Sequence, residues 1–202
     1  CPLVTDNFDR VWLAKFQQLD KDPVFNQVLN LATGQLSPYP FAKNVSGLHI
    51  SRTTADDAGG LWTAGIGETA NSTAPLVYYR PDTDKTEIFY YPKSADQIVT
   101  ALAVSYESPG RVWIFLPDKI LRFDVSARHF DTFDFSQVGR GATEVFCATR
   151  TEDGTHWIGL GTGIVRAEPN GTGFRFALLQ NDPADRNSLP VNSIKSLLTD
   201  PA

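Results

Sequence analysis

Methionine is absent from the 202 residues, cysteine occurs twice and histidine three times. A chain without an initiator is expected to be processed or excised, so a fragment of a longer protein is the expectation. Two cysteines, Cys1 and Cys147, do not make a disulfide framework when one of them is the first residue. No apolar run approaches the roughly 18 residues of a membrane span, and no signal-peptide pattern opens the chain. Positive charge is in deficit: 18 Lys and Arg stand against 23 Asp and Glu, a formal net charge of -5. Such a surface has little with which to displace phosphate counterions, so nucleic acid is not an expected partner. His49, His129 and His156 form no HExxH pair and lie near no cysteine cluster, so neither a metal nor a cofactor is expected. There is no Gly-x-Ser-x-Gly elbow, and the GLGTG run at 159–163 lacks the lysine and helix of a phosphate loop.

Aromatic residues make up 11% of the chain, and no segment carries a helical apolar period. Both features favour strands. The four tryptophans, Trp12, Trp62, Trp113 and Trp157, are spaced 50, 51 and 44 residues apart, and each closes a similar frame. The copies read DNFDRVW (6–12), DDAGGLW (56–62), ESPGRVW (107–113) and TEDGTHW (151–157). The shared pattern is acid-x-x-Gly-x-apolar-Trp, with Asp9 in the glycine position of the first copy and the acid of the last shifted to Asp153.

Turn chemistry explains the frame. The acid ends a strand and can cap the turn by accepting backbone N–H bonds. The residue three before Trp must supply a positive φ, which glycine does at no steric cost. Trp then stands on the return strand. A second hairpin follows each frame, opening near Asn30, Arg80, Asp124 and Glu168. Each repeat thus offers four short strands, and a 40–50-residue period with four strands per unit predicts an all-β fold of β-propeller blades.

The expected blades are 1–43, 44–95, 96–140 and 141–190, with 191–202 starting the next. Val191–Thr199 is expected as an innermost strand, and four blades as part of a larger ring. A Trp at one strand position in every blade is read as a structural wedge, and the acid before each turn as a cap. His156, next to Trp157, is read as a surface or edge residue.

Between Trp and the second hairpin the first two repeats are longer than the last two by about seven residues, within 15–28 and 65–77. That loop opens on the same side as the linkers between blades, and insertions on one face of a repeat fold mark recognition. The polar candidates for ligand binding there are Lys43, Asn71, Lys93, Arg140 and Arg186.

The run NDPADRNSLPVNSIKSLLTD, through Asp182, Pro183, Ser188, Leu189, Asn192, Ile194 and Asp200, resembles the two-component regulator propeller repeat. Trp157, Ile158, Gly159, Gly163 and Ile164 match its second half, whereas Trp12, Trp62 and Trp113 are followed by different residues. The resemblance implies the periplasmic sensor part of a hybrid two-component protein, with a seven-bladed ring and a small-molecule ligand, often a saccharide. It also implies the remaining blades of a parent chain and a possible homodimer as partners. Two other readings stay open. One is a propeller-scaffold enzyme, a glycoside hydrolase or lyase, which needs convergent carboxylates or a His–acid pair. The other is a protein-interaction scaffold.

Overall fold

The computed structural model describes residues 3–14, 26–41, 50–65, 73–93 and 102–200. The described residues form four antiparallel sheets of four strands, each sheet in simple sequence order. The first holds β1 (Leu3–Thr5), β2 (Arg10–Ala14), β3 (Asn26–Asn30) and β4 (Leu36–Pro38). The second holds β5 (Ile50–Ala55), β6 (Leu61–Gly65), β7 (Thr73–Arg80) and β8 (Lys85–Pro92). The third holds β9 (Ala103–Glu107), β10 (Arg111–Phe115), β11 (Lys119–Asp124) and β12 (His129–Asp134). The fourth holds β13 (Val145–Arg150), β14 (His156–Leu160), β15 (Ile164–Asn170) and β16 (Gly173–Leu179). One sheet per Trp repeat is the expected plan, and every Trp stands on the second strand of its sheet.

The frames behave as turn chemistry requires. Asp9, Gly59, Gly110 and Gly154, each three residues before a Trp, have φ of 54°, 78°, 69° and 85°. The cap is also as expected: Asp6 Oδ1 accepts from the N–H groups of Phe8 (2.8 Å) and Arg10 (3.2 Å). Asp56 Oδ1 accepts from Ala58 (3.0 Å) and Gly60 (2.7 Å), and Asp153 Oδ1 from Thr155 N–H (3.0 Å). Asp9 is the copy in which a side chain strains the left-handed turn. Asp9→Gly is expected to raise stability by about 0.5–1 kcal/mol, and Gly59→Ala to lower it by about 1–2 kcal/mol. A Cβ on Gly59 also comes to 3.2 Å from Asn7 Nδ2. Denaturant unfolding of the two variants checks the opposite signs.

The acid has a second role that turn chemistry did not suggest. Asp6 Oδ2 accepts the indole N–H of Trp12 at 2.7 Å, and Asp56 Oδ2 that of Trp62 at 3.3 Å. Each carboxylate therefore ties the turn to the wedge that follows it.

The residues divide into two compact units, Cys1–Gln97 with Val104–Val112, and Ile98–Ala103 with Trp113–Ala202. In the first, Trp12 is buried with Val28, Tyr39, Phe41, Leu61, Val77 and Tyr79. It leaves the first sheet, meets Leu61 and Tyr79 of the second, and is covered by Tyr39 (ring centroids 4.9 Å apart) from the segment after β4. In the second unit, Trp113 passes from the third sheet onto His156 and Phe174 of the fourth, at 4.5 and 6.0 Å. Trp62 is also buried, stacked on Tyr78 at 4.3 Å, while Trp157 is half-buried under the Arg166 guanidinium.

Three expectations are corrected. Val191–Thr199 forms no strand: Ile194 N–H bonds the Leu160 carbonyl at 3.1 Å, and the segment meets β13 through side chains, Cys147 Sγ at the Ile194 carbonyl and the Thr149 and Thr199 hydroxyls 3.4 Å apart. The last second hairpin opens at Asn170, not Glu168: Gly171, at φ 59°, allows a two-residue turn, and the strand runs on through Glu168. His156 is 1% exposed rather than on the surface. Strand alternation turns the residue before Trp to the opposite face, where the preceding Trp arrives.

Candidate functional site

In each sheet the frame turns and second hairpins lie at one end, and the β2–β3-type loops and inter-sheet linkers at the other, as alternation in a meander dictates. At the linker end the connections are unequal. Residues 15–25 separate β2 from β3 and 66–72 separate β6 from β7, against 116–118 and 161–163 in the last two sheets. The first two connections lie outside the described residues, and so do Lys43 and Asn71.

Two linkers of the second unit are described. The first begins at buried Phe135, whose N–H bonds the Asp118 carbonyl at 2.8 Å, while its own carbonyl accepts from Val138 (2.8 Å) and Gly139 (3.0 Å). Gly139 is needed there, since a Cβ would come to 3.0 Å from the Phe135 ring and 3.1 Å from the Pro117 carbonyl. Arg140 follows, exposed, donating to Gln137 Oε1 at 2.5 Å.

The second linker is a closed polar loop. Asn181 N–H bonds Asn192 Oδ1 at 2.6 Å, and Asn181 Nδ2 bonds the Leu189 carbonyl at 2.5 Å. Ser188 Oγ accepts Asp182 N–H and donates to the Asp182 carbonyl, at 2.8 and 2.9 Å. Asp182 and Asp185 cap the turns inside the loop through the N–H groups of Ala184 and Asn187. Asp182, Ser188 and Asn192, the residues that carried the sequence resemblance, are thus the loop's fasteners, and Arg186 is left exposed on it.

Of the five ligand-binding candidates, Arg140 and Arg186 are exposed at the linker end on separate linkers, and no hydrogen bond joins them. Lys93, the third candidate in the described residues, is 6% exposed. It directly follows β8, whose Tyr91 is buried with its hydroxyl bonded to the Gly65 carbonyl, so the chain enters its linker beneath the surface.

Sequence reasoning missed one feature. At the turn end of the fourth sheet a polar cleft of about 440 Å³ is lined by Asp153, Thr155, Glu168, Pro169, Asn170 and Arg175. Hydrogen bonds from the Thr151 hydroxyl and from Thr155 hold the Asp153 carboxyl below the ordinary carboxylate range. Glu168 accepts from Arg175 Nε at 3.1 Å and pairs with Arg166. Both acids are already engaged by neighbours, which equips the cleft for polar contacts. The signal available in the sequence was the displaced acid of the fourth frame beside the short NGTG turn. Among the described residues no group of three His, Cys, Asp or Glu is placed to hold a metal ion.

No family model and no curated protein matches the chain. Solved structures do. The extracellular domain of a putative one component system from B. thetaiotaomicron aligns over 99% of this chain and 25% of its own, with a TM-score of 0.73 and 16% identity. The extracellular domain of a putative hybrid two component system from the same organism aligns over 98% and 30%, with a TM-score of 0.58 and 16% identity. A calcium-binding protein, regucalcin, from Agrobacterium tumefaciens aligns over 88% and 60%, with a TM-score of 0.58 and 13% identity. The fold is a β-propeller. Its blades are the four sheets, and β1, β5, β9 and β13 are their first strands. The chain spans about a quarter of the length of the first of these structures. The extracellular domains of one- and two-component systems among them are of the kind to which the repeat resemblance pointed.

Proposed function

We propose that these blades belong to an extracytoplasmic ligand-sensing propeller of a hybrid two-component signalling protein. It recognises a saccharide or another small ligand at the linker end of its blades and performs no chemistry on it. The observation that carries this reading is the alignment of 98–99% of the chain with extracellular domains of a putative one component and a putative hybrid two component system. Two physical features support it. In the sequence the connection after the second strand is longer in the first two blades than in the last two, and in the second unit Arg140 and Arg186 stand exposed on their linkers. Two exposed guanidinium groups suit a polar ligand that offers hydroxyl or carboxylate oxygens as acceptors. In this reading the module stands on the periplasmic or extracellular side of an inner membrane protein. The partners are the ligand, the remaining blades of the parent chain and, for signalling, a second copy.

A thermal-shift screen of oligosaccharides against the extracytoplasmic part tests the proposal. For the ligand found, Arg140→Ala with Arg186→Ala is expected to weaken binding about tenfold, the loss of one or two charge-assisted hydrogen bonds, at unchanged melting temperature. Unchanged affinity in the double variant, or hydrolysis of the ligand by the purified protein, overturns it.

A further inference from the structure

The fourth Trp frame departs from the others at one column. The residue before Trp is Val11, Leu61 and Val112 in the first three copies, and His156 in the fourth. Val112 and Leu61 are fully buried, and His156 is 1% exposed in the same strand position. Its ring lies 4.5 Å from the Trp113 ring, 5.4 Å from Phe115 and 5.4 Å from Phe174. Neither Nδ1 nor Nε2 has a hydrogen-bond partner. An apolar residue at this column would leave no polar atom unsatisfied, as it does in the other frames. The imidazole therefore costs stability that packing alone does not repay.

The surroundings offer nothing to stabilise a proton there. On β13 the residue in register with His156 is Arg150, a like charge to an imidazolium. On β11 the Arg122 guanidinium lies over the Trp113 and Phe133 rings, bonded to Asp131 of β12. β15 places Ala167 opposite His156, so Arg166 and Glu168 alternate onto the other face, where Glu168 also engages Arg175 of β16. The charged residue of β10 is Arg111, exposed and 3.9 Å from Glu107. In the turn before β14, Asp153 is occupied by Thr151 and Thr155. Among the described residues no carboxylate bonds the imidazole.

We propose that His156 is an acid-sensitive latch: its protonation opens the seam between the third and fourth blades, where Trp113 and Phe115 pack on it. The consequence reaches the proposed ligand end. β16 carries Phe174 at the seam and leads directly into the closed linker that presents Arg186, so loosening the fourth blade releases that linker. The latch depends only on the packing around His156 and not on what ligand is bound.

Burial, with Arg150 adding to it, lowers the His156 pKa from 6.5 to about 4. A lowered folded-state value means that the open state binds the proton more tightly. The stability is whole above pH 6.5 and is lost as pH falls from there towards 4, where the loss levels off.

The experiment is denaturant unfolding of wild type and His156→Leu, which restores the residue type of the second frame, at pH 7 and pH 5. The ratio of their folding constants is expected to fall about twentyfold between the two pH values, against wild type. A constant ratio overturns the latch. Because the variant could fail to fold, the imidazole of wild type is also titrated by NMR. A midpoint near 4 supports the proposal, and one at or above 6.5 overturns it, whatever the ligand screen finds.

Discussion

Trp113→Ala is expected to lower the stability of the second unit by about 3–5 kcal/mol, the range for deleting a fully buried large aromatic side chain. Trp157→Ala is expected to cost about 1–2 kcal/mol, because a half-buried ring removes less surface from water. The two residues close equivalent frames and stand on β10 and β14, and they would be interchangeable if the frame alone set their worth. They differ in what lies against them. Trp113 is 4% exposed, with His156, Phe174 and Phe133 within 6.3 Å, whereas the ring partner of Trp157 is the Arg166 guanidinium at 5.7 Å. Urea unfolding followed by far-UV circular dichroism reads both. Equal losses, or a Trp113→Ala loss under about 1 kcal/mol, would sink the wedge account.

The second large effect is expected at a carboxylate. Asp6→Ala removes acceptors from two backbone N–H groups, from Arg10 Nε at 2.8 Å and from the Trp12 indole at 2.7 Å. The Asp6 side chain is fully buried, so the groups left behind do not regain water, and the Arg10 charge loses its partner. Breaking a buried ion pair from one side costs about 3–5 kcal/mol. Asp6→Asn is not a rescue, because its amide nitrogen would turn a donor towards Arg10 or the indole. Asp56→Ala should cost less, about 1–3 kcal/mol. Asp56 caps the same turn and holds the Trp62 indole, but no cation is bonded to it in the frame. Melting curves of the three variants give the order. A loss at Asp56 equal to that at Asp6 would mean that Arg10 contributes nothing.

Much of this was legible in the chain because it is local. Trp spacing set the repeat. The fourth position of each frame specified a left-handed turn, which Asp9, Gly59, Gly110 and Gly154 all adopt, and the acid caps it in the first, second and fourth copies. Even the buried His156 had a signal, in the column it shares with Val11, Leu61 and Val112, although the residue type alone argued for the surface. The linker fasteners were visible only as a family pattern, since closing Asn181 on Asn192 and Asp182 on Ser188 depends on how eleven and six residues fold back.

By itself, then, the sequence determined the unit, its four strands, its turns and the strand that carries Trp. Those follow from backbone sterics and alternation over a few residues. Tertiary structure decided what each face meets. Whether a Trp is a buried wedge or a half-open ring, whether a carboxylate holds an indole, and whether a histidine keeps its water depend on sheets some 40–50 residues apart in the chain. No local propensity encodes that pairing, because burial is a property of the neighbour as much as of the residue.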